Sequence, residues 1–285
     1  MTSDKMVLQH YGVPTAPFIV VPGSYTADEL AEKEVQSLLS QRIRRNSIEP
    51  SPQHPLFIKP VLEGSSKGIS DRSRVTSFDA LWSSVIALRA KFPEQDIVVE
   101  QFADGREFTI SIIGTGENAR VLGISEYAWL PPTDISLPCN GYQITENRGG
   151  RPPGFQTYET KMESFFTLCN DVRVDLYQED PEVRTACEIA LRAYRVVRCR
   201  DLGRVDVRSI GMGREARPQV LEVNNNLVSC TVLLIQRRLR KNLQINAIAG
   251  LQPEYSDLPR TAEREGISYN NLIEQIIQSA MHNGV

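Results

Sequence analysis

Glu222 and Asn224 stand two residues apart in "LEVNNNLVSC", so both leave one face of a strand-like run and can share a metal ion there. Just upstream, "GRVDVR" sets Arg204 and Asp206 on one face of another strand by the same alternation. If the two strands are neighbours, Asp206 and Glu222 are hard oxygen ligands of the kind Mg²⁺ takes beside nucleotide phosphates. Arg204 can then meet a transferring phosphoryl group or a developing oxyanion. A structural salt-bridge cluster would use the same residues.

A second group lies nearer the amino end. "LFIKPVLEGSSKGIS" reads as a strand delivering Lys59, followed by a loop rich in Gly and Ser whose amides and hydroxyls can hold phosphates. It is not a Walker loop, since Gly-x-x-x-x-Gly-Lys-Ser/Thr does not occur. The alternative is a β-turn with a surface lysine. In "IVVEQFADGREFTI", the segment from Glu100 to Ala103 can offer main-chain groups to an adenine edge, and Glu107 can accept from ribose hydroxyls. A solvated hairpin with exposed carboxylates is the competing account.

These residues need strands and helices to carry them. Short apolar runs alternate with helical patterns, the rhythm of α/β or α+β architecture. "FIVV" at 18–21 reads as a strand, and Thr26 to Leu39 as a helix with Thr26 as N-cap and Glu29 at the capping-box position. "RIRRNSIEPSPQHP" reads as a surface loop. Phe78, Leu81, Trp82, Val85 and Leu88 recur at helical spacing over 77–91. "DIVVEQF", "EFTISIIG" and "RVLGISEY" read as successive strands. Residues 130–160, rich in Pro and Gly, read as a lid, binding loop or disordered segment. Asp180-Pro181 opens a helix, "GRVDVRSI" and "QVLEVN" form an antiparallel pair through "GMGREARP", and Ser268 caps a helix from Tyr269 to His282.

Composition narrows the function classes. In 285 residues, 32 Lys and Arg stand against 35 Asp and Glu, so no net field favours nucleic acid or an anionic membrane. The five cysteines include no Cys-x-x-Cys pair and no companion His at zinc-ligand spacing, which fits a reducing cytoplasm. The longest apolar stretch, Val228 to Ile235, is far short of the ~20 residues that span a bilayer, and no signal peptide is visible at the amino end. His10, His54 and His282 are scattered, and Trp82 and Trp129 suit packing.

Taken in order, these motifs resemble the ATP-grasp superfamily and, within it, the D-alanine–D-alanine ligase family. "DKMVLQHYGVPTAPF" looks like that family's entry to its central domain, "FIKPVLEGSSKGIS" its phosphate loop and "VVEQFADGREFTI" its adenine hinge. "YETK" at 158–161 looks like its mobile loop, and "CRDLGRVDVR" with "LEVN" its metal strands. The resemblance implies an α+β ATP-grasp fold in which two sheet-bearing lobes sandwich ATP, here residues 1–104 and 105–285. It implies that Lys5 and Lys59 hold ATP phosphates and that Ser65 and Ser66 sit in the flap above them. Glu100, Gln101 and Ala103 would line the adenine and Glu107 the ribose. Asp206, Glu222 and either Asn224 or Asn246 would bind Mg²⁺ or Mn²⁺. Lys161, Arg204 and the amide of Gly250 would face the acyl phosphate and the tetrahedral intermediate. Amino acids would be the small-molecule substrates, a dipeptide, ADP and phosphate the products, and a homodimer the oligomer.

Two departures from the family pattern stand out. Family members follow Glu-x-Asn with a short turn ending in Gly, whereas here "NAIAGLQPEYSDLP" at 246–259 looks like that continuation, displaced by a stretch at about 225–246. The stretch is either an added element bearing Arg237, Arg238, Arg240 and Lys241 or a retained intron or mistaken gene model. With four residues before Lys5, the chain is also expected to lack the amino-terminal substrate domain that the resemblance implies. The expected activity is therefore that of a D-alanine–D-alanine ligase-type enzyme; the alternatives are the same chemistry on other substrates, or a nucleotide-binding remnant without turnover.

Overall fold

Strict alternation of side chains writes both faces of the first sheet. Its strands are β1 (Phe18–Val21), β2 (Leu56–Pro60), β3 (Arg74–Val75) and β4 (Ile97–Gln101), arranged β1-β4-β2-β3 and antiparallel throughout. The computed structural model describes residues 2–63, 66–127, 169–172, 180–226, 251, 253 and 256–282. Ile19, Val21, Leu56, Ile58, Ile97 and Val99 join Leu30, Leu39, Ile43, Leu81, Trp82 and Val85 in one apolar core. These last six come from helices α2 (Ala27–Ala31), α3 (Lys33–Arg45) and α4 (Phe78–Lys91). The opposite face of the sheet carries Phe18, Glu100 and Phe57 in one cross-strand row, and Val20, Val98 and Lys59 in the next.

The helix expected from Thr26 to Leu39 is two helices. Thr26 and Glu29 form the reciprocal capping box, with amide contacts of 2.7 and 3.2 Å. Glu32 is then extended (φ −69°, ψ 131°), and α3 restarts at Lys33 and runs to Arg45. Its last turns occupy residues whose polar composition suggested a loop; buried Leu39 and Ile43 sit four apart and keep one face of that turn on the core. Ser77 caps α4 through the amide of Ala80.

The second sheet is built from β5 (Glu107–Ile113), β6 (Arg120–Tyr127), β7 (Cys169–Val172), β8 (Leu202–Ile210) and β9 (Arg217–Asn226), in the order β7-β6-β5-β8-β9. All its neighbours are antiparallel. One face is apolar. Phe108, Ile110, Ile112, Val205, Val207 and Val220 pack with Val183, Ala186, Ala190 and Tyr194 of α5 (Pro181–Val196), whose N-cap is Asp180. The other face is divided along its length. At one end Ile113, Leu122 and Leu202 are roofed by Leu258 and Ala262 of α6 (Asp257–Arg264) and by Leu272 and Ile276 of α7 (Tyr269–His282). Toward the other end the same face is polar.

The chain forms two compact units: Ala16–Ala103 makes the first, and Ser3–Thr15 with the described residues from Asp104 onward makes the second. This differs from a first lobe that starts at residue 1. α1 (Thr2–His10) and the turn after it send Leu8 and Val13 into the core of the second unit, and Thr15 bridges to Val220 as a parallel partner. Lys5 therefore travels with the second unit. Neither α1 nor α6 was legible in the sequence. Among the described residues, no helix is long and apolar enough to cross a membrane.

Candidate functional site

In the second unit the register decides which side chains meet. β8 and β9 pair Asp206 with Glu222 and Arg204 with Asn224, and β5 brings Thr109 opposite Asp206. A bulge follows, since Asp206 faces Glu222 while Val207 faces Val220, leaving Leu221 as the extra residue. Without it, Val220 and Glu222 would be two rungs apart on the same parity. With it, Glu222 lies on the polar face while Val220 stays in the core.

The Asp206 carboxylate is the hub of this face. It accepts from Thr109 Oγ1 at 2.8 Å, from Asn224 Nδ2 at 3.0 Å and from Arg204 Nη2 at 3.1 Å. Arg204 Nε lies 3.1 Å from the second Asp206 oxygen, an ion-pair contact without hydrogen-bond geometry, so of the guanidinium nitrogens Nη2 alone hydrogen-bonds this carboxylate. The other end of the fork, Nη1, reaches Asp257 Oδ2 at 2.9 Å. Farther along the face, Arg208 Nη1 holds Glu107 at 3.0 Å while its Nε donates to the Gly105 carbonyl. Burial pulls the Arg208 guanidinium below its ordinary value, and the charges of Glu107 and Asp104 oppose that shift.

Lys5 is buried at 1 % exposure, with Nζ 3.3 Å from Thr15 Oγ1, and Thr15 Oγ1 donates in turn to the Val220 carbonyl. The ammonium is thereby tied to the strand that carries Glu222.

The first unit supplies a separate set. Lys59 Nζ lies 2.6 Å from Glu100 Oε1, and the side chains are 10 % and 3 % exposed. The pairing follows from the ladder: Lys59 faces Val98, so Glu100, two residues on, points to the same side. Glu100 therefore meets a lysine rather than standing open toward an adenine. The amides of Gln101 and Phe102 donate to the carbonyls of Pro17 and Pro55, which removes them as donors to a ligand edge. Ala103, 3 % exposed, closes the unit. Phe102 stacks at a tilt on Phe57 with centroids 5.7 Å apart, and Arg74 lies 5.3 Å over its ring. Ser66 adopts φ 59°, the left-handed turn conformation that bends the Gly-Ser loop.

Ser65, Lys161, Asn246 and Gly250 lie outside the described residues, as does the 225–246 stretch apart from the backbone of Asn225 and Asn226. That backbone extends β9, pairing with Gly203 and Leu202. Thr109, Arg208 and Asp257 are members of the polar face that sequence reasoning missed. Thr109 and Arg208 were findable, because "EFT" and "RVDVR" continue the alternation that marks Glu107, Arg204 and Asp206. Asp257 gave no signal.

The donor set suits a hard divalent cation. Asp206 and Glu222 are register partners, and the Asn224 amide brings an oxygen within reach by a side-chain flip. Among the described residues no three His, Cys, Asp or Glu side chains cluster as a metal cage. Two carboxylates are nevertheless what Mg²⁺ takes when phosphates complete its shell.

Comparison with known proteins fits this arrangement. The family model described as "D-ala D-ala ligase C-terminus" matches residues 7–130. A D-alanine–D-alanine ligase of Polaromonas naphthalenivorans is 27 % identical over 96 % of this chain and 72 % of its own length. One from Polaromonas sp. is 26 % identical over 96 % of this chain and 61 % of its own. The crystal structure of the Bacillus anthracis D-alanine–D-alanine ligase complexed with ATP superposes with a TM-score of 0.56 at 18 % identity, over 99 % of this chain and 65 % of that one. The chain thus spans less than two thirds of several of the proteins it matches. The structural likeness establishes the α+β ATP-grasp fold that the motifs implied. The profile match and the relatives point the same way: over residues 7–130 the chain is similar to the carboxy-terminal part of the D-alanine–D-alanine ligase family.

Proposed function

We propose that the protein is an ATP-dependent carboxylate–amine ligase of the D-alanine–D-alanine ligase type. The observation that carries this reading is the register that sets Asp206 against Glu222, and Arg204 against Asn224, on the polar face of β8 and β9. The names of the relatives, and the ATP bound to the Bacillus anthracis enzyme, supply the substrate class.

In this reading a substrate carboxylate attacks the γ-phosphorus, and Asp206, Glu222 and Asn224 would hold a Mg²⁺ whose chemistry would be to neutralise phosphate charge. Lys5 and Lys59 bind phosphate oxygens. For Lys59 that means exchanging part of its contact with Glu100 for the nucleotide, and for Lys5 it means reaching past Thr15. Glu100, Gln101 and Ala103 border the base, and the Glu107 carboxylate, steadied by Arg208, accepts from ribose hydroxyls. Ser65 and Ser66 cover the phosphates. The acyl phosphate is then attacked by the amine of a second amino acid, phosphate departs, and Arg204, Lys161 and the Gly250 amide stabilise the oxyanion. The products are a dipeptide, ADP and phosphate. Free, buried Cys187 and Cys199 agree with a reducing compartment such as the cytoplasm.

The test is paired. Calorimetry measures Mg²⁺-ATP binding to the wild type and to Glu222→Gln, and a coupled assay measures ADP release with D-alanine and with a panel of other amino acid pairs. Binding that weakens in the variant, with D-alanine-dependent ADP release, supports the reading. Release only with other pairs moves the substrate assignment. Binding without turnover on any pair identifies a nucleotide-binding remnant. Identical binding in both proteins removes the site assignment.

A further inference from the structure

Arg204 is shared between two carboxylates that differ in what else they can do. Asp206 sits where a cation is proposed, and its two oxygens already receive contacts from Arg204, Thr109 and Asn224. A cation on Asp206 would share those oxygens with three hydrogen-bond donors. The guanidinium is the strongest competitor, because its charge repels a cation placed on the same carboxylate and it lies against both oxygens.

Asp257 is placed outside that competition. It opens α6, whose Leu258, Thr261 and Ala262 are buried, and Thr261 Oγ1 donates to Ser111 Oγ at 3.1 Å on the same sheet face. Gly123 permits the close approach: a Cβ there would lie 2.8 Å from Thr261 Cβ. The backbone bearing Asp257 is therefore fixed against the sheet, and its carboxylate holds Nη1, the part of the fork that does not touch Asp206.

We propose that Asp257 is a positioning residue that retains Arg204 in the site when Asp206 turns to a divalent cation. It gives the guanidinium a second anionic partner, so release from Asp206 leaves the arginine paired. It also offsets the repulsion between the arginine and a cation on the neighbouring carboxylate. The proposal rests on the assignment of Asp206 and Glu222 to the cation.

Titration of the full chain with MnCl₂ in the absence of nucleotide, followed by electron paramagnetic resonance of free Mn²⁺, tests it. Asp257→Asn is expected to weaken binding by about tenfold, the scale reported for outer partners of metal ligands, and Asp257→Glu to restore most of it. In an Arg204→Met background, Asp257→Asn should change little, because there is no longer an arginine to hold. An equal loss in both backgrounds, or no loss in either, overturns the proposal while leaving the cation site standing. Glu222→Gln serves as the separate control: Mn²⁺ binding indifferent to that change overturns the cation site and this proposal with it.

Discussion

Lys59 and Glu100 form an ion pair of 2.6 Å on the face of the first sheet opposite its helices, with Phe18 and Phe57 in the row of Glu100. Both charges are nearly buried, so the pair is held by mutual need. Two ions in a low-dielectric setting lose hydration that their mutual attraction must offset.

Removing one partner should therefore cost more than removing both. Glu100→Gln is expected to lower the unfolding free energy by roughly 3 kcal/mol, because it strands the lysine charge. The double replacement Lys59→Met with Glu100→Leu should cost less than either single change. Urea unfolding of the three variants decides the matter, and near-neutral single variants would show that the ammonium finds other solvation.

Gly105 stands two residues before β5, and no other residue type fits. A Cβ on it would lie 2.4 Å from the Gly211 carbonyl oxygen and 2.8 Å from Ser209 Cβ, while its amide donates to the Ser209 carbonyl at 2.8 Å. Gly105→Ala should destabilise the protein by about 1–3 kcal/mol, as overpacking does. It should also disturb the Glu107–Arg208 pair, which lies where β5 begins and the antiparallel β8 ends. Chemical denaturation measures the first effect, and side-chain ¹⁵N resonances of Arg208 the second.

Asp180 gives an acid-side prediction. Burial pushes its carboxyl upward, but Arg106 Nη1 at 2.7 Å and the amides of Val183 and Glu182 outweigh this, so the folded value lies below the ordinary 3.8. A depressed carboxylate stabilises the fold above its unfolded value, and the contribution is lost as pH falls through the folded one. The loss thus lies below about pH 4. Asp180→Asn keeps a good N-cap for α5 but removes the charge, so it should flatten the acid limb by lowering the neutral plateau, where the charge contributes, while leaving stability at the acid end little changed. Thermal unfolding between pH 2 and pH 7 reads this directly; an unchanged acid limb would assign it to other carboxylates.

The β8–β9 pair was legible because its information is local. Arg204, Asp206, Glu222 and Asn224 declare their faces by alternation, and "GMGREARP" declares the hairpin that joins them. The bulge at Leu221 was not legible, since its cause is the mismatch between two strands rather than any residue's preference. Nor was the Lys59–Glu100 pair. Its partners lie 41 residues apart (100 − 59) and meet only through the antiparallel register of β2 with β4. The attachment of α1 to the second unit escaped for the same reason. Leu8 and Val13 look apolar in sequence, but only their neighbours in the fold say which core they enter.

The two described free cysteines show how burial overrides chemistry. Cys187, on α5, and Cys199, just beyond it, are 3 % and 2 % exposed. Burial pushes both thiols up to about 12, helped at Cys187 by the charge of Glu188 and at Cys199 by that of Asp4. The thiolate is the reactive form, so at pH 8 only about one molecule in ten thousand carries it at either position. Neither should react with iodoacetamide in the native protein over an hour, while both should react in urea. Peptide mapping after alkylation separates these two from the other cysteines. Native labelling at Cys187 would mean that α5 opens from the second sheet far more often than a helix with Val183, Ala190 and Tyr194 fully buried should allow.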